Sequence, residues 1–397
     1  MKPRILFLCT TSPFGKVSGA GLRTRNIARL LGDIGPVTMV AATERPWSEE
    51  QLRLTREEFN LAAYFEYVKD PIKGIGERFN QLTNPRFLKT NAVRIRPEDH
   101  AVFDGLLKNH DLVWIHTLKL ANGFQRYRWE NSIIDIDDYP SRFHWTASAF
   151  ATSPKEKLRR MKNTFLWRRR EADWRNRFTL LTVCKEQDRA HFGNGERVQV
   201  VPNGFSEMPR PVAPPTQSRQ IGMIGDFNYL PNADGIRWFA ETVLPGLRKK
   251  HPGIQVRLIG RNSDAIARSL NLQEIFGLGY VDDPALEIAG WSSMIIPTRL
   301  GGGTHLKLAE GLARGVPIVS TSHGTRGYSV TSGEHLLVAE TSEEFEQACS
   351  RILNDESLGR TLVDNAYRLF QKNYSWQSIA PNVQKAVDDC LRLSRRN

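Results

Sequence analysis

Short apolar runs alternate along the chain with stretches in which apolar residues recur every three or four positions. Uninterrupted runs are typical of strands buried in parallel sheets, and the periodic stretches predict amphipathic helices. This alternation predicts an α/β fold of two doubly wound, Rossmann-like domains. The predicted strands are Ile5–Cys9, Val37–Ala41, Leu112–His116, Ser132–Ile136, Leu180–Val183, Val198–Val201, Ile221–Ile224, Gln255–Ile259, Met294–Ile296 and Pro317–Ser320.

A proline-rich segment divides this pattern into two halves. Four prolines fall within residues 209–215, a composition typical of an interdomain linker. We expect an N-terminal domain over residues 1–205 and a C-terminal domain over residues 206–375. Because loops at the carboxyl ends of parallel strands bind ligands, we expect the two domains to face a cleft that holds the site.

Three consecutive glycines, Gly301–Gly303, join a predicted strand to a predicted helix in the C-terminal half. The helix would begin at Thr304 or His305 and end before Gly315. Unobstructed backbone N–H groups and the positive end of a helix dipole favour an anion. The junction therefore predicts a phosphate site.

The polar residues of that helix extend the same hypothesis. Lys307, Glu310 and Arg314 are three and four positions apart and share one face. A lysine in the first turn can neutralise a diphosphate, and a glutamate one turn later can accept hydrogen bonds from ribose hydroxyls. The alternative is an ordinary amphipathic helix whose polar face is solvated.

These motifs resemble the nucleotide-binding core of GT-B glycosyltransferases, in particular the retaining enzymes of family 4. The resemblance covers residues 198–330. It implies a GT-B fold and the transfer of a sugar from a nucleotide-diphosphate donor to a hydroxyl acceptor, with retention and without a metal or other cofactor. It also implies that a C-terminal helix, residues 376–397, returns to the N-terminal domain. The matching segments are Ile221–Phe239, Val256–Gly260, Gly279–Asp283, the glycine segment and His323–Tyr328.

One position departs from the family pattern. Many members carry two glutamates eight residues apart; Glu310 fits the second, but Gly302 occupies the first. Donor binding is still expected, with the sugar contact supplied by backbone N–H groups or another residue. The resemblance assigns the diphosphate to Lys307 with Gly302, Gly303 and Thr304, the ribose to Glu310, and a second cation to Arg299.

A second glycine loop follows the first predicted strand, within Pro13–Arg23. It matches neither the dinucleotide-binding nor the P-loop pattern. It resembles the loop with which family 4 transferases approach the donor diphosphate and the acceptor, and this assigns donor contacts to Gly19 and Gly21. A tight turn without a ligand is the alternative.

An acidic cluster, Asp135, Asp137 and Asp138, ends another predicted strand. Carboxylates in such a cluster can bind a divalent metal, as in the GT-A class, or can cap the following helix. Its place in the chain matches the GT-B loop near the transferred sugar. We therefore expect Asp137 or Asp138 to orient the sugar or the acceptor hydroxyl, or to act as a base. His116, at a strand end where it would be exposed, is a third catalytic candidate, with a structural role as its alternative.

The net charge of +12 predicts an acidic partner. Residues 155–177 contain ten Lys or Arg against three Asp or Glu, interleaved with aromatic residues. This segment predicts a peripheral contact with an anionic membrane, a wall for an anionic glycan, or a helix that packs its aromatic residues inward. Nucleic acid is not expected as a partner, because no recognition motif accompanies the basic residues.

The cysteine content and the N-terminal pattern bear on the cellular location of the protein. Four widely spaced cysteines and the lack of a signal-peptide pattern favour the cytoplasm, with peripheral contact at the inner face of the membrane. A nucleotide-sugar donor and a glycan or lipid-linked glycan acceptor would place the protein in polysaccharide biosynthesis. Two alternatives remain: a GT-B-fold epimerase or phosphorylase, and a non-catalytic nucleotide-sugar-binding module.

Overall fold

A computed structural model describes residues 2–14, 19–89, 93–137, 139–208, 219–301 and 304–395. The chain divides into two compact units. The first comprises Met1–Pro202 and Ile379–Asn397, and the second comprises Asn203–Ser378. Among the described residues, none of the helices combines the length and the apolar character that crossing a membrane requires.

The first unit contains a seven-stranded sheet in which all neighbouring strands are parallel. Strands and helices are numbered in chain order. The strands are β1 (Ile5–Cys9), β2 (Val37–Thr43), β3 (Leu61–Glu66), the short antiparallel pair β4 (Val68–Lys69) and β5 (Val93–Arg94), β6 (Leu112–His116), β7 (Ser132–Ile136), β8 (Leu180–Val183) and β9 (Val198–Val200). The helices are α1 (Gly19–Ile34), α2 (Glu49–Glu58), α3 (Gly74–Thr83), α4 (Asp99–Lys108), α5 (Leu118–Gly123), α6 (Pro140–Ser148), α7 (Pro154–Ala172), α8 (Trp174–Arg177) and α9 (Glu186–Phe192).

The second unit contains a six-stranded parallel sheet. Its strands are β10 (Gln220–Ile224), β11 (Gln255–Ile259), β12 (Ile275–Gly277), β13 (Ser293–Ile296), β14 (Ile318–Ser320) and β15 (Leu337–Val338). Its helices are α10 (Leu230–Trp238), α11 (Leu244–Lys250) after a π-helical turn (Phe239–Val243), α12 (Ser263–Leu270), α13 (Ala285–Ala289), α14 (Leu306–Arg314), α15 (Ser342–Asn354) and α16 (Glu356–Asn373). The last helix, α17 (Trp376–Ser394), belongs to the first unit from Ile379 onward.

The strand order of each sheet reverses beside its first strand. The orders are β3-β2-β1-β6-β7-β8-β9 and β12-β11-β10-β13-β14-β15. The chain therefore leaves β1 and β6, and likewise β10 and β13, in opposite directions, which opens a crevice at the carboxyl ends of these strands. The predicted fold class, two doubly wound α/β units, is confirmed.

Helix starts differ from the prediction at two places. Helix α1 begins at Gly19, within the expected loop. Helix α14 begins at Leu306, with His305 as the preceding cap residue. Its predicted end is confirmed, because Gly315 adopts the left-handed conformation that closes many helices.

Strand β10 contains a glycine that the packing of the second unit requires. Trp291 is fully buried, and a Cβ placed on Gly222 would lie 2.0 Å from its indole ring. Because the ring lies directly on the strand backbone, only glycine leaves room for it.

Replacing Gly222 by alanine is expected to destabilise the protein by at least about 2 kcal/mol, since a buried ring would have to move out of a close-packed core. Gly359→Ala in α16 is the matched control, because its Cβ would meet Pro317 at an ordinary 3.5 Å. That variant should be unchanged or more stable by about 0.5–1 kcal/mol. Urea unfolding monitored by tryptophan fluorescence measures both; equal stability of the two variants would contradict this packing.

Candidate functional site

The crevice of the second unit brings together side chains from the segments that follow two neighbouring strands. Asn232 and Asp234 follow β10, and Arg299 and Lys307 follow β13, at the point where the strand order reverses. Ligands bind to doubly wound sheets at this point because the diverging loops leave space between them. The crevice is therefore the candidate ligand site of this unit.

A carboxamide fixes the ammonium group of Lys307. Lys307 Nζ donates to Asn232 Oδ1 at 2.5 Å, and Asn232 Nδ2 donates to the carbonyl of Asp226 at 2.8 Å. Gly225 allows this arrangement, because a Cβ there would lie 2.6 Å from Asn232 Nδ2. The lysine is thus positioned by a neutral hydrogen-bond partner and not by an ion pair.

The surroundings also shift the protonation of Lys307. Burial lowers the pKa of its ammonium group to about 7, while the carboxylate of Glu310 acts in the opposite direction. Within the described residues Lys307 forms no ion pair. An anion bound beside Nζ would restore the charged form, because an opposite charge favours protonation. Lys307 is therefore suited to bind a phosphate.

Glu310 lies one turn further along α14 and is 8% exposed. Its Oε1 accepts a hydrogen bond from Arg314 Nε at 2.9 Å, and the Arg314 guanidinium lies 5.7 Å from the ring of Phe205. Burial raises the pKa of Glu310, with Arg314 opposing it. The solvated-helix alternative is wrong, because these polar side chains are packed inside the unit.

Arg299, the expected second cation, lies in the same crevice with its charge compensated. Its Nη2 lies 3.0 Å from both carboxylate oxygens of Asp234, and its guanidinium lies 5.4 Å from the ring of Trp238. An anion at this place would have to compete with Asp234. Arg299 is therefore expected to bind a phosphate less well than Lys307.

The loop before α14 is described at its two ends. Gly301 has a φ of +128°, a conformation that glycine adopts without strain. Thr304 Oγ1 accepts a hydrogen bond from Asn203 Nδ2 at 2.6 Å. The expected phosphate contacts Gly302 and Gly303 lie outside the described residues, so those contacts stay predictions.

The first unit contains a buried charged cluster centred on Asp135. The carboxylate accepts hydrogen bonds from Arg23 Nε at 2.9 Å and Nη2 at 2.6 Å, from Thr182 Oγ1 at 2.7 Å, and makes a 3.0 Å contact with His116 Nδ1. Asp135, Arg23 and His116 are all at most 2% exposed. His116 is thus buried at the end of β6, contrary to its expected exposure, because Asp135 on the adjacent strand holds it.

The charges within this cluster shift the pKa values of Asp135 and His116. Burial alone would raise the pKa of Asp135, but Arg23 and His116 hold it well below its usual range. With His116 Nδ1 donating to Asp135, Nε2 faces Asp137, whose Oδ2 is 4.0 Å away. Burial tends to lower the pKa of His116, yet Asp137 and Asp135 raise it overall. The buried ion pair of Arg23 and Asp135 therefore orients His116 towards the carboxylate of Asp137.

The other candidates of the first unit have these positions. Gly19 and Gly21 lie in the first turn of α1. The side chain of Asp137 is 23% exposed just beyond β7, and Asp138 lies outside the described residues. Within the described part of the chain, no three His, Cys, Asp or Glu side chains are arranged to hold a metal ion.

Sequence reasoning missed the partners of the expected residues: Asn232, Asp234, Arg23 and Thr182. Two signals were available. Asn232 and Asp234 lie in α10, within the segment after β10 that carries the family resemblance. Arg23 occupies a position on the inward face of α1, two residues beyond Gly21, where a charged residue needs a buried partner.

Comparison with known proteins adds a family match for the second unit. Residues 218–355 match the model of the family described as Glycosyl transferases group 1. An uncharacterized 44.6 kDa protein in the cps region of Klebsiella pneumoniae is 23% identical over 163 residues, 39% of this chain and 42% of that protein. An uncharacterized glycosyltransferase of Methanocaldococcus jannaschii is 26% identical over 126 residues, 31% of this chain and 35% of that protein. The chain thus spans less than half the length of these curated relatives.

Solved structures extend the likeness to the whole chain. The crystal structure of HepE from Anabaena in complex with UDP and glucose covers 97% of this chain and 99% of its own, with a TM-score of 0.66 and 15% identity. At 15% sequence identity, this structural similarity establishes the fold alone. The chain has the GT-B fold, and its residues 218–355 match the model of the glycosyl transferases group 1 family.

Proposed function

We propose that this protein is a glycosyltransferase that moves a sugar from a nucleotide-diphosphate donor to a hydroxyl acceptor. The observation that carries the proposal is the ammonium group of Lys307, recessed at the reversal point of the second sheet and held by the neutral carboxamide of Asn232. Because the direct hydrogen-bond partner of the ammonium group is neutral, the lysine is suited to bind an anionic ligand. The group 1 family match of the same residues supports this interpretation.

The proposed donor is a uridine-diphosphate sugar, because the similar HepE structure contains UDP and glucose. Lys307 would bind the diphosphate together with the backbone of Gly302, Gly303 and Thr304. Glu310 would accept hydrogen bonds from the ribose, with Arg314 fixing its carboxylate. Arg299 would contribute only if the donor displaced Asp234 from it.

The proposed reaction breaks the bond between the sugar and the diphosphate. Negative charge then develops on the departing diphosphate, and a preorganised ammonium group stabilises it. The family resemblance favours retention of configuration and catalysis without a metal. His116, oriented by Asp135, and the carboxylates of Asp137 and Asp138 would orient the sugar or the acceptor hydroxyl.

The proposed acceptor is a glycan or a lipid-linked glycan, in polysaccharide biosynthesis. A cytoplasmic location accompanies this proposal: all four cysteines are buried and free, as suits a reducing compartment. The glycine at position 302, where many relatives carry a glutamate, favours one second candidate, a module that binds nucleotide sugars without transferring them.

Lys307→Ala is expected to lower kcat by about 100-fold or more, because it removes charge stabilisation of the leaving group. Lys307→Arg keeps the charge and should retain a larger share of the activity. Release of UDP from UDP-sugars, with purified acceptor fractions, measures turnover, and thermal unfolding checks the fold. Turnover of folded Lys307→Ala close to that of the parent would contradict the assignment; donor binding without any turnover in the parent would favour the binding module.

Donor binding should take up close to one proton at about pH 8, because Lys307 is mostly neutral in the free protein and charged beside the diphosphate. Affinity should consequently fall as the pH rises above 7, by at most about tenfold per pH unit. Titration calorimetry in two buffers of different ionisation enthalpy measures the uptake. Lys307→Arg is the control, since its guanidinium stays charged; the same uptake in that variant would show that another group titrates.

His116→Gln is expected to lower kcat by about 100-fold while donor affinity stays within about twofold, because His116 lies in the first unit and is proposed to act on the sugar or acceptor. His110→Gln is the matched control, since His110 precedes the amino end of the same strand. Steady-state kinetics and donor titration separate the two effects. An unchanged kcat in folded His116→Gln would assign the histidine a structural role.

A further inference from the structure

Helix α3 exposes the apolar side chains that a surface helix normally buries. None of its residues is buried, and Ile75, Phe79 and Leu82 are 87%, 66% and 39% exposed. At 100° per residue these three side chains fall within about 60° of one another, so they form one stripe. A helix with an outward apolar stripe and no buried face lacks the contact that usually stabilises it.

Helix α7 carries a second outward stripe. Leu158, Met161 and Phe165 are 70%, 46% and 53% exposed and also fall within about 60°. The inward face of this helix is formed by other residues, with Leu166 and Trp167 buried. The outward stripe is therefore additional to the packing of α7. The alternative in which the helix packs all its aromatic residues inward is wrong for Phe165.

Arg169 connects the two helices. Its guanidinium lies 5.6 Å from the ring of Phe165, and it donates hydrogen bonds to the backbone carbonyls of Leu82 and Thr83 at the end of α3. The end of α3 is thus held beside the exposed part of α7. Helix α6, which packs along α7, adds Trp145 with 61% exposure. We call α3, α6 and α7 with these exposed side chains the apolar-basic surface.

This concentration is unusual within the protein. Seven of the thirteen large hydrophobic side chains that are exposed in the described part of the chain lie on these three helices. Scattered exposed hydrophobic residues are ordinary, whereas contiguous ones mark a site of contact.

Cations flank the outward stripe of α7 on both sides. Lys157 and Arg168 fall on one side of it and Lys162 on the other, about 50–80° from its centre at 100° per residue. All three are exposed, and none forms an ion pair among the described residues. The only acidic side chain of α3, Glu77, is paired with Lys89 at 2.9 Å. The surface therefore combines apolar side chains with uncompensated positive charge.

We propose that the apolar-basic surface docks the first unit on an anionic lipid membrane. Apolar and aromatic side chains would enter the boundary between headgroups and acyl chains, and the lysines and arginines would extend to the lipid phosphates. Charge complementarity favours lipid over a second copy of this chain, because the same cations would face one another in a symmetric pair. The inference does not rest on the proposed function, since it uses neither Lys307 nor a donor.

Vesicle sedimentation of the full chain tests the proposal. Binding is expected to vesicles of phosphatidylcholine mixed with phosphatidylglycerol, to be weak with phosphatidylcholine alone, and to fall with added salt. Removing three cations in Lys157→Gln/Lys162→Gln/Arg168→Gln should weaken partitioning by about 100-fold, at about fivefold per cation. The matched control removes the same charge elsewhere, in Lys108→Gln/Lys249→Gln/Lys372→Gln, and should bind within a few-fold of the parent.

A second pair of variants tests the apolar stripes. Phe79→Ser/Phe165→Ser should lose most vesicle binding, whereas Val102→Ser/Leu286→Ser, which changes residues that are 56% and 90% exposed elsewhere, should bind like the parent. Lys307→Ala should also bind vesicles normally, which separates this inference from the donor site. Absence of binding to anionic vesicles, or equal losses in the test and control variants, would overturn the proposal. A dimer that dissociates in Phe79→Ser/Phe165→Ser would assign the surface to self-association instead.

Discussion

The reversal of strand order beside β1 and β10 is the constraint on which the chemistry of this protein depends. Parallel strands send every loop at their carboxyl ends to one edge of the sheet, and the reversal separates two of those loops. In the second unit this separation places Asn232 opposite Lys307. In the first unit Arg23 of α1 and His116 of β6 contact the same carboxylate, that of Asp135. Each candidate site therefore occupies the position that the topology leaves open.

Buried charge is compensated differently at the carboxyl edges of the two sheets. Asp135 receives an arginine, a histidine contact and a threonine hydroxyl, so its charge is compensated within the unit. Removing one member of such a pair costs about 3–5 kcal/mol, because the other charge stays buried. Lys307 has instead a carboxamide, and burial lowers its pKa to about 7. The cluster around Asp135 holds its side chains in place, whereas Lys307 can still form an ion pair with a phosphate.

Periodicity predicted the central strands because they are continuously buried. Ile5–Cys9, Leu112–His116 and Ser132–Ile136 are all buried residues and match the predicted bounds. Edge strands such as Ile275–Gly277 and Leu337–Val338 were missed, since two or three residues carry no periodic signal. The positions of Lys307 and Glu310 on one helix also followed from spacing, and the glycine at 315 predicted the helix end.

Partners across long sequence separations could not be predicted in the same way. The pairing of Arg299 with Asp234, and of Arg23 with Asp135, joins residues from different strands and depends on three-dimensional packing. For the same reason His116 was expected at the surface and is buried. Helix α3 has a regular apolar stripe, but spacing alone does not say whether such a stripe faces a core or solvent.

The most direct test of the central claim is the thermal unfolding of the purified chain with UDP-, GDP- and ADP-sugars in the presence of EDTA. A ligand at 100 times its Kd stabilises the folded state by about 2.7 kcal/mol, enough to raise Tm measurably. UDP-sugars are expected to raise Tm in EDTA, and the increase should be lost in Lys307→Ala. No increase with any of the donors, or an increase that requires added metal or survives in Lys307→Ala, would contradict the assignment of Lys307 as the diphosphate-binding residue.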